Sequence, residues 1–521
     1  MDRPAVSGGG RHWKLAPPHA AEAQGIVVSG FGALPTGRAL FLEFRWPDDK
    51  AAKGAWLDTL ATIAPVTNAE GRTGRAVSIA FTHVGLRRMG LAEAALATFS
   101  APFREGMMQE DRLRRLGDRR DGAWQPTVIA GGPVWSGNTP PRPGGAAERP
   151  LTATGHAEEA IGTAKTVHAL LQIFEADEAA ADAWGAEIEA ALAPHGIAIV
   201  HRLPLDLRPD ERGIAREHFG FADGISQPIP YDAHAIPGSV ADPWNGVPLG
   251  EILLGHADSH HEIAPCPAGP PLKAGTGGLP PHPQIEGALD LGRDGSYLVV
   301  RELRQDVAAF WRAMDAATAR IRLRDPDHSG HVTAEWLAER AVGRTLAGDM
   351  LCPASTLAPG ADRQPQNDFG FFGQDRHGYG CPVGSHVRRA NPRDGLAPAD
   401  ASREATLASA NSHRILRRGR KYGPTIADPR TDDGADRGLL FICLNTDIGR
   451  QFEFVQQTWL LNGNFATLYD ETDPLIGPPG TMTIRETPLR RRVAVETFVQ
   501  MAGGDYFFLP SLSALRYLAL L

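Results

Sequence analysis

The strongest constraint on the fold is the order in which two hydrophobic rhythms succeed one another. Apolar–polar alternation over residues 38–46 gives way to Trp56, Leu57, Leu60 and Ile63 at helical spacing within 51–63. Alternation then returns through Val77, Ile79 and Phe81 of 76–82. Period two marks a strand with one buried face, and a period of three to four marks an amphipathic helix. After a helical stretch near 84–118 and a Gly/Pro-rich loop at 131–148, the rhythm recurs. Residues 166–174 are strand-like, 177–192 form an Ala-rich helix and 196–203 alternate again.

The second half repeats the plan. A strand is predicted over 296–301, a helix over 305–317, strands over 414–418 and 439–444, a helix over 449–461 and a last strand over 506–509. Two successive β-α-β units are the ferredoxin-like arrangement. The chain is therefore expected to be α+β, with duplicated ferredoxin-like units, antiparallel sheets and surrounding helices. Residues 1–24 read as a loose tail, 25–215 as the N-terminal unit and 216–521 as the C-terminal unit. The Pro/Gly-rich stretch 264–288 reads as an unstructured excursion.

Composition narrows the function. A chain of 521 residues with 42% hydrophobic content can bury a sizeable core. The net charge of -8 and scattered basic residues argue against nucleic acid. No apolar run of membrane-spanning length occurs, and the first residues show neither a signal-peptide h-region nor a twin-arginine signal, which points to the cytoplasm. Cys266, Cys352, Cys381 and Cys443 are scattered, without the C-x-x-C-H needed for thioether attachment of a haem.

Three segments carry chemistry. The run from Cys381 to Arg393 places His386 in a loop rich in cations, Arg388, Arg389 and Arg393 among them, after a Gly-rich approach. A neutral imidazole binds a metal, and guanidinium forks meet carboxylates bidentately. A second segment, from Gly220 to Pro228, sets Asp223 beside Gly224 in a loop with an apolar lead-in, where a carboxylate can serve as acid and base. The third, from His413 to Pro424, offers Arg417 on a strand-like run.

Taken in this order, the segments resemble the dye-decolorizing peroxidases, closest to the longer class C/D-like members. The Gly-x-x-Asp-Gly element falls at Gly220 to Gly224, the ligand histidine at His386 and the distal arginine at Arg417. The stretches 294–307, 437–443, 451–456 and 506–517 are similar to that family as well, so the resemblance runs from about residue 35 to the C-terminus. It implies one haem b per chain in the C-terminal half, its iron bound by His386. It also implies a peroxidase that uses hydrogen peroxide to oxidise small or bulky reductants, phenols and dyes, through a ferryl state. Asp223 would move the proton, and Arg417 would stabilise charge as the O–O bond breaks. Arg393 is the expected propionate partner, and Leu439 and Phe441 the apolar lining. For the acceptor of the ligand's second nitrogen, Asp447 comes first and Asp473 second. Tyr422, five residues after Arg417, is the candidate surface relay for bulky dyes, ahead of Trp311 and Trp459.

The rival reading is a haem carrier or iron-releasing protein, which would have no use for a proton shuttle beside a cation. Other signals are set aside. The stretch from Asp325 to Trp336 resembles a calcium loop but has Trp336 where the bidentate glutamate belongs, and reads as a helix start capped by Thr333. His256, His260 and His261 lie near one another in a loop-like region, which reads as adventitious metal binding.

Overall fold

The computed structural model describes residues 15–71, 74–137, 165–231, 244–352, 367 and 369–521. The N-terminal half contributes β1 (Thr36–Phe44), α1 (Trp56–Ile63), β2 (Ala76–Phe81), β3 (Ala169–Glu175), α2 (Glu178–Leu192) and β4 (Ile197–Asp206). The C-terminal half contributes β5 (Ser296–Gln305), α3 (Val307–Arg324), α4 (Ala334–Val342), α5 (His386–Ala390), β6 (Leu416–Arg417), β7 (Arg420–Tyr422) and β8 (Gly438–Asn445). A wide helical stretch (Gly449–Glu453 and Val455–Leu460), a hairpin of β9 (Gly480–Arg485) and β10 (Arg490–Val495), and β11 (Val499–Leu509) complete it. The starts are set locally. Asp177, Asp306 and Thr333 each accept a backbone N–H from the first turn of the helix they precede, α2, α3 and α4, which satisfies an otherwise orphaned donor.

The strands of the first half lie antiparallel in the order β4-β1-β3-β2. Those of the second half take the order β11-β5-β8, with β6 and β7 beside β8. Two sheets were expected, but they are joined. Strand β7 pairs with β4 through Lys421 and Tyr422, and β11 meets β2 at Phe508 and Phe81, so the pairing closes on itself. An exposed edge strand invites pairing with other chains, and closure removes four such edges at once.

Alternate residues of each strand serve two cores. Phe41, Leu298, Val300, Leu440, Ile442 and Phe507 pack inside the ring, whereas Leu40, Leu42, Tyr297, Val299 and Phe508 pack with α1 and α2 outside it. Both faces of β1 and β3 are thus buried, where alternation over 38–46 predicts a single buried face.

Two expectations are corrected. Residues 1–14 lie outside the described residues, but 15–24 are packed and not loose. The Gln24 side chain is fully buried, donating to the carbonyls of Ile79 (2.8 Å) and Pro510 (2.9 Å) and accepting from Ser78 and from Ile79 N. The 264–288 stretch is likewise fixed by its own apolar groups, with Cys266, Leu279 and His282 buried and Tyr517 donating to Pro270 O. Of the 131–148 loop, 138–148 lies outside the described residues.

Candidate functional site

A cavity of about 410 Å³ opens on the helix-bearing face of β5 and β8. Helix α5 brings His386 to it. The Nδ1 of His386 lies 2.9 Å from Asp473 Oδ2, and Asp473 Oδ1 accepts the N–H groups of Leu475 (2.9 Å) and Ile476 (3.0 Å). Burial penalises the carboxylate, but the imidazole and the two amides outweigh it and hold Asp473 below the usual range. Burial likewise disfavours an imidazolium at His386, and the Asp473 carboxylate overrides it and raises the pKa. With Nδ1 engaged by an anion, Nε2 is the nitrogen left for a metal, and it is made more basic by that partner. Asp447, the first choice from sequence, is elsewhere: it accepts from Arg450 N, in a loop that packs against β8.

The arginines around His386 are engaged by the protein's own oxygens. Arg388 donates to the carbonyls of Asp375, Arg376 and Cys381. Arg389 donates to those of Gly384, Trp459, Asn462 and Glu471. Arg393, expected at a propionate, is fully buried and absent from the cavity lining. It donates to Phe369 O, Asn245 (3.0 Å) and Asn367 (3.1 Å), with its guanidinium 3.6 Å from the Phe369 ring centroid. Five donors on a planar fork can hold several loop carbonyls at once, and these three cations tie the backbone around α5.

Asp223 and Arg417 line the same cavity. Gly220 and Gly224, both with positive φ, let the 217–228 loop turn tightly enough to present Asp223. Arg417 Nη1 donates to Asp223 Oδ1 at 3.1 Å, and Oδ1 also accepts Gly224 N. The Arg417 backbone N–H donates to Gln227 (2.9 Å), and its Nη2 to Ser226 O (3.3 Å). The loop is itself organised by Glu217, which accepts from Phe219 N, Phe221 N and Gln305 Nε2. Burial pushes the Glu217 carboxyl up to about 7, the nearby Asp223 adding to the effect.

Leu439, Leu440 and Phe441 all border the cavity, and Leu440 also packs with Ile442 in the core inside the ring. Tyr422 does not reach solvent. It is 2% exposed, and its hydroxyl is buried without a hydrogen-bond partner among the described residues. Trp311 and Trp459 are buried too.

Sequence reading missed Glu217, Arg301, Arg344 and Asn391, all on the lining. Arg301 sits in β5 and is bound bidentately by Asp118. Arg344 follows α4 in a segment without a motif. Only Asn391, five residues past His386, carried a positional signal. Both polar atoms of its amide are buried and find no partner among the described residues. An imidazole with one free nitrogen, apolar walls, lining cations and an orphaned amide together fit a flat, metal-centred ligand with an anionic edge, as a haem is.

No protein-family model matches the chain. Among curated proteins it is 31% identical over 376 residues to a multifunctional dye peroxidase of Amycolatopsis, covering 68% of this chain and 72% of that one. It is 30% identical over 342 residues to a dye-decolorizing peroxidase of Mycetinis scorodonius, covering 61% of this chain but only 59% of the fungal protein. Among solved structures, a dye-decolorizing peroxidase in complex with 2,6-dimethoxyphenol superposes with a TM-score of 0.65 at 24% identity, covering 97% of this chain and 100% of that one.

Proposed function

The chain belongs to the dye-decolorizing peroxidase family, and on that premise we propose that it is a haem-dependent peroxidase that uses hydrogen peroxide to oxidise phenols and dyes. The observation that carries the reading is one cavity lined both by His386, paired with Asp473, and by the Asp223–Arg417 pair. We read the cofactor as one haem b per chain. We read residues 25–215 and 216–521 as two ferredoxin-like units, a division supported by the matching strand orders β4-β1-β3-β2 and β11-β5-β8-β7.

In this reading His386 Nε2 is the protein ligand to the iron, and Asp473 keeps the proton on Nδ1. Bound haem supplies the redox-active iron at which peroxide is reduced. Asp223 takes a proton from hydrogen peroxide and returns it to the oxygen that leaves as water. Its Oδ1 is committed to Arg417 and Gly224 N, so Oδ2 is the atom that carries the proton. Arg417, permanently charged, stabilises the negative charge that builds on the oxygens. Leu439 and Phe441 exclude water, while Arg344 takes the role first assigned to Arg393, that of meeting the ligand's anionic edge. For bulky reductants, electrons enter through an exposed side chain. Tyr469 is 81% exposed and four residues before Asp473, a far better placement than that of the buried Tyr422.

The alternative, a haem carrier without turnover, leaves the Asp223–Arg417 pair unexplained. Steady-state oxidation of 2,6-dimethoxyphenol and of a dye by the haem-loaded protein with added peroxide separates the two. Turnover that disappears without peroxide is expected. A normal Soret band with no turnover at any pH from 3 to 8 (a span of about 5 units around the carboxylate range) sinks the enzyme reading.

A further inference from the structure

Far in sequence from the peroxidase site, three residues meet that neither the fold nor the proposed chemistry requires. His19 lies in the short N-terminal helix His19–Glu22, His256 in the loop after residue 250, and Asp294 in the turn that opens β5. One Asp294 carboxylate oxygen sits 2.8 Å from His19 Nδ1 and 2.7 Å from His256 Nε2. The two imidazoles meet edge to face, with centroids 4.7 Å apart. The three ligand atoms lie within 4.8 Å of one another.

From this geometry we propose a binding site for a divalent late first-row transition metal, zinc foremost, with His19 Nδ1, His256 Nε2 and Asp294 as its protein ligands. Two imidazoles and one carboxylate are the donor set such ions prefer, whereas magnesium and calcium favour oxygen alone. Ligand atoms about 2.0–2.2 Å from a shared zinc must lie within roughly 4.4 Å of each other, so a spread of up to 4.8 Å needs only a small inward adjustment of the side chains to hold one ion. Asp294 is nearly buried between imidazoles that keep an outer edge exposed, which leaves a route in and room for water as a fourth ligand. Asp294 also holds a positive φ. That conformation is uncommon outside glycine and is kept where the surroundings demand it.

Binding asks little of the site. To bind, each imidazole turns the lone pair of the nitrogen that now faces Asp294 to the ion, with a proton carried only on its other ring nitrogen. The consequence is a clip between the N-terminal segment and the start of β5, 275 residues apart. His260 and His261, which share the sequence neighbourhood of His256, are not part of it.

The test uses the full-length, haem-loaded protein after chelator treatment, titrated with zinc chloride by calorimetry and followed by its thermal midpoint and Soret band. Expected are one zinc per chain and a midpoint that rises with zinc but not with magnesium. His19→Ala, His256→Ala and the isosteric Asp294→Asn should each weaken binding by more than about 10-fold, the least lost when even an outer partner of a metal ligand is removed. A His260→Ala/His261→Ala double variant should bind as the parent does. The Soret band should stay unchanged throughout, so that failure here says nothing against the haem site. The proposal is overturned if no saturable zinc binding is found, if magnesium acts as zinc does, or if binding survives loss of His19 and His256 but not of His260 and His261. Should an alanine variant fold poorly, Asp294→Asn decides: undiminished zinc affinity there overturns the site.

Discussion

On the His386 side of the cavity the carboxylate is buried and held by several partners, whereas on the Asp223 side the partners are few and water can reach them. The Asp473 side chain is 0% exposed and accepts from one imidazole and two backbone amides, and the adjoining loops are tied by three buried arginines. The Asp223 and Arg417 side chains are 41% and 34% exposed, and one 3.1 Å hydrogen bond joins them. A ligand to a metal must hold its place and its tautomer, so rigidity there is useful. A group that ferries protons must exchange them with water, so full enclosure would defeat it. In the proposed mechanism, a carboxylate beside a cationic or protonatable partner thus suits opposite tasks according to its burial and its other hydrogen bonds.

The sharpest way to break this contrast is to remove the proposed ligand. His386→Ala is expected to abolish stable haem incorporation, read as loss of the Soret band after reconstitution. A variant that loads haem and shows an unchanged axial-ligand spectrum counts against the assignment. Next comes the exposed pair: Arg417→Leu and Asp223→Asn should each slow the peroxide reaction by about 10²–10⁴-fold, the usual worth of such groups. The double change should cost little more than the worse single one, because both act on one transition state. Additive losses in pre-steady-state rates argue against a single unit.

Removing support instead of a ligand should have a smaller effect. Asp473→Asn is expected to lower haem affinity by about 10–100-fold, as outer-partner changes do, and to raise the reduction potential by withdrawing negative charge from the imidazole. Unchanged affinity and potential would show that the Asp473 contact is only packing. Glu217 links the exposed wall to stability. Its folded pKa of about 7 lies above the ordinary glutamate value of 4.5. The proton is held more tightly in the folded chain, so this group's contribution is complete below pH 4.5 and is lost as pH rises through 7. Thermal midpoints should therefore fall across that window. A flat profile in the parent protein rejects the assignment.

The smallest effects concern the two tyrosines. Tyr469→Phe should slow oxidation of a bulky dye while sparing a small phenol, because only an exposed ring can meet a dye too large for the cavity. Tyr422→Phe should leave both rates alone and raise stability by about 1 kcal/mol, since it removes a buried hydroxyl that has no partner among the described residues. Reversed results would restore Tyr422 as the relay.

The sequence alone pointed to the main strands and helices in order, because each element's rhythm is local, but it missed the hairpin Gly480–Arg485/Arg490–Val495 and the short strand Arg420–Tyr422. It also pointed to the residues with motif-like surroundings: His386 in its cation-rich loop, Asp223 beside glycine, Arg417 on its strand, Leu439 and Phe441 on one face. What it could not decide was which partner each of these meets. Asp447 and Asp473 look alike in sequence, and only packing brings the second to within 2.9 Å of His386. Arg393 and Arg344 differ only in what surrounds them: backbone and amide oxygens enclose the first, and the cavity is lined by the second. The ring closure, Glu217 and the His19–His256–Asp294 cluster also depend on contacts between distant segments. Such contacts are selected by the burial of whole faces and the satisfaction of buried polar atoms, neither of which leaves a period along the chain.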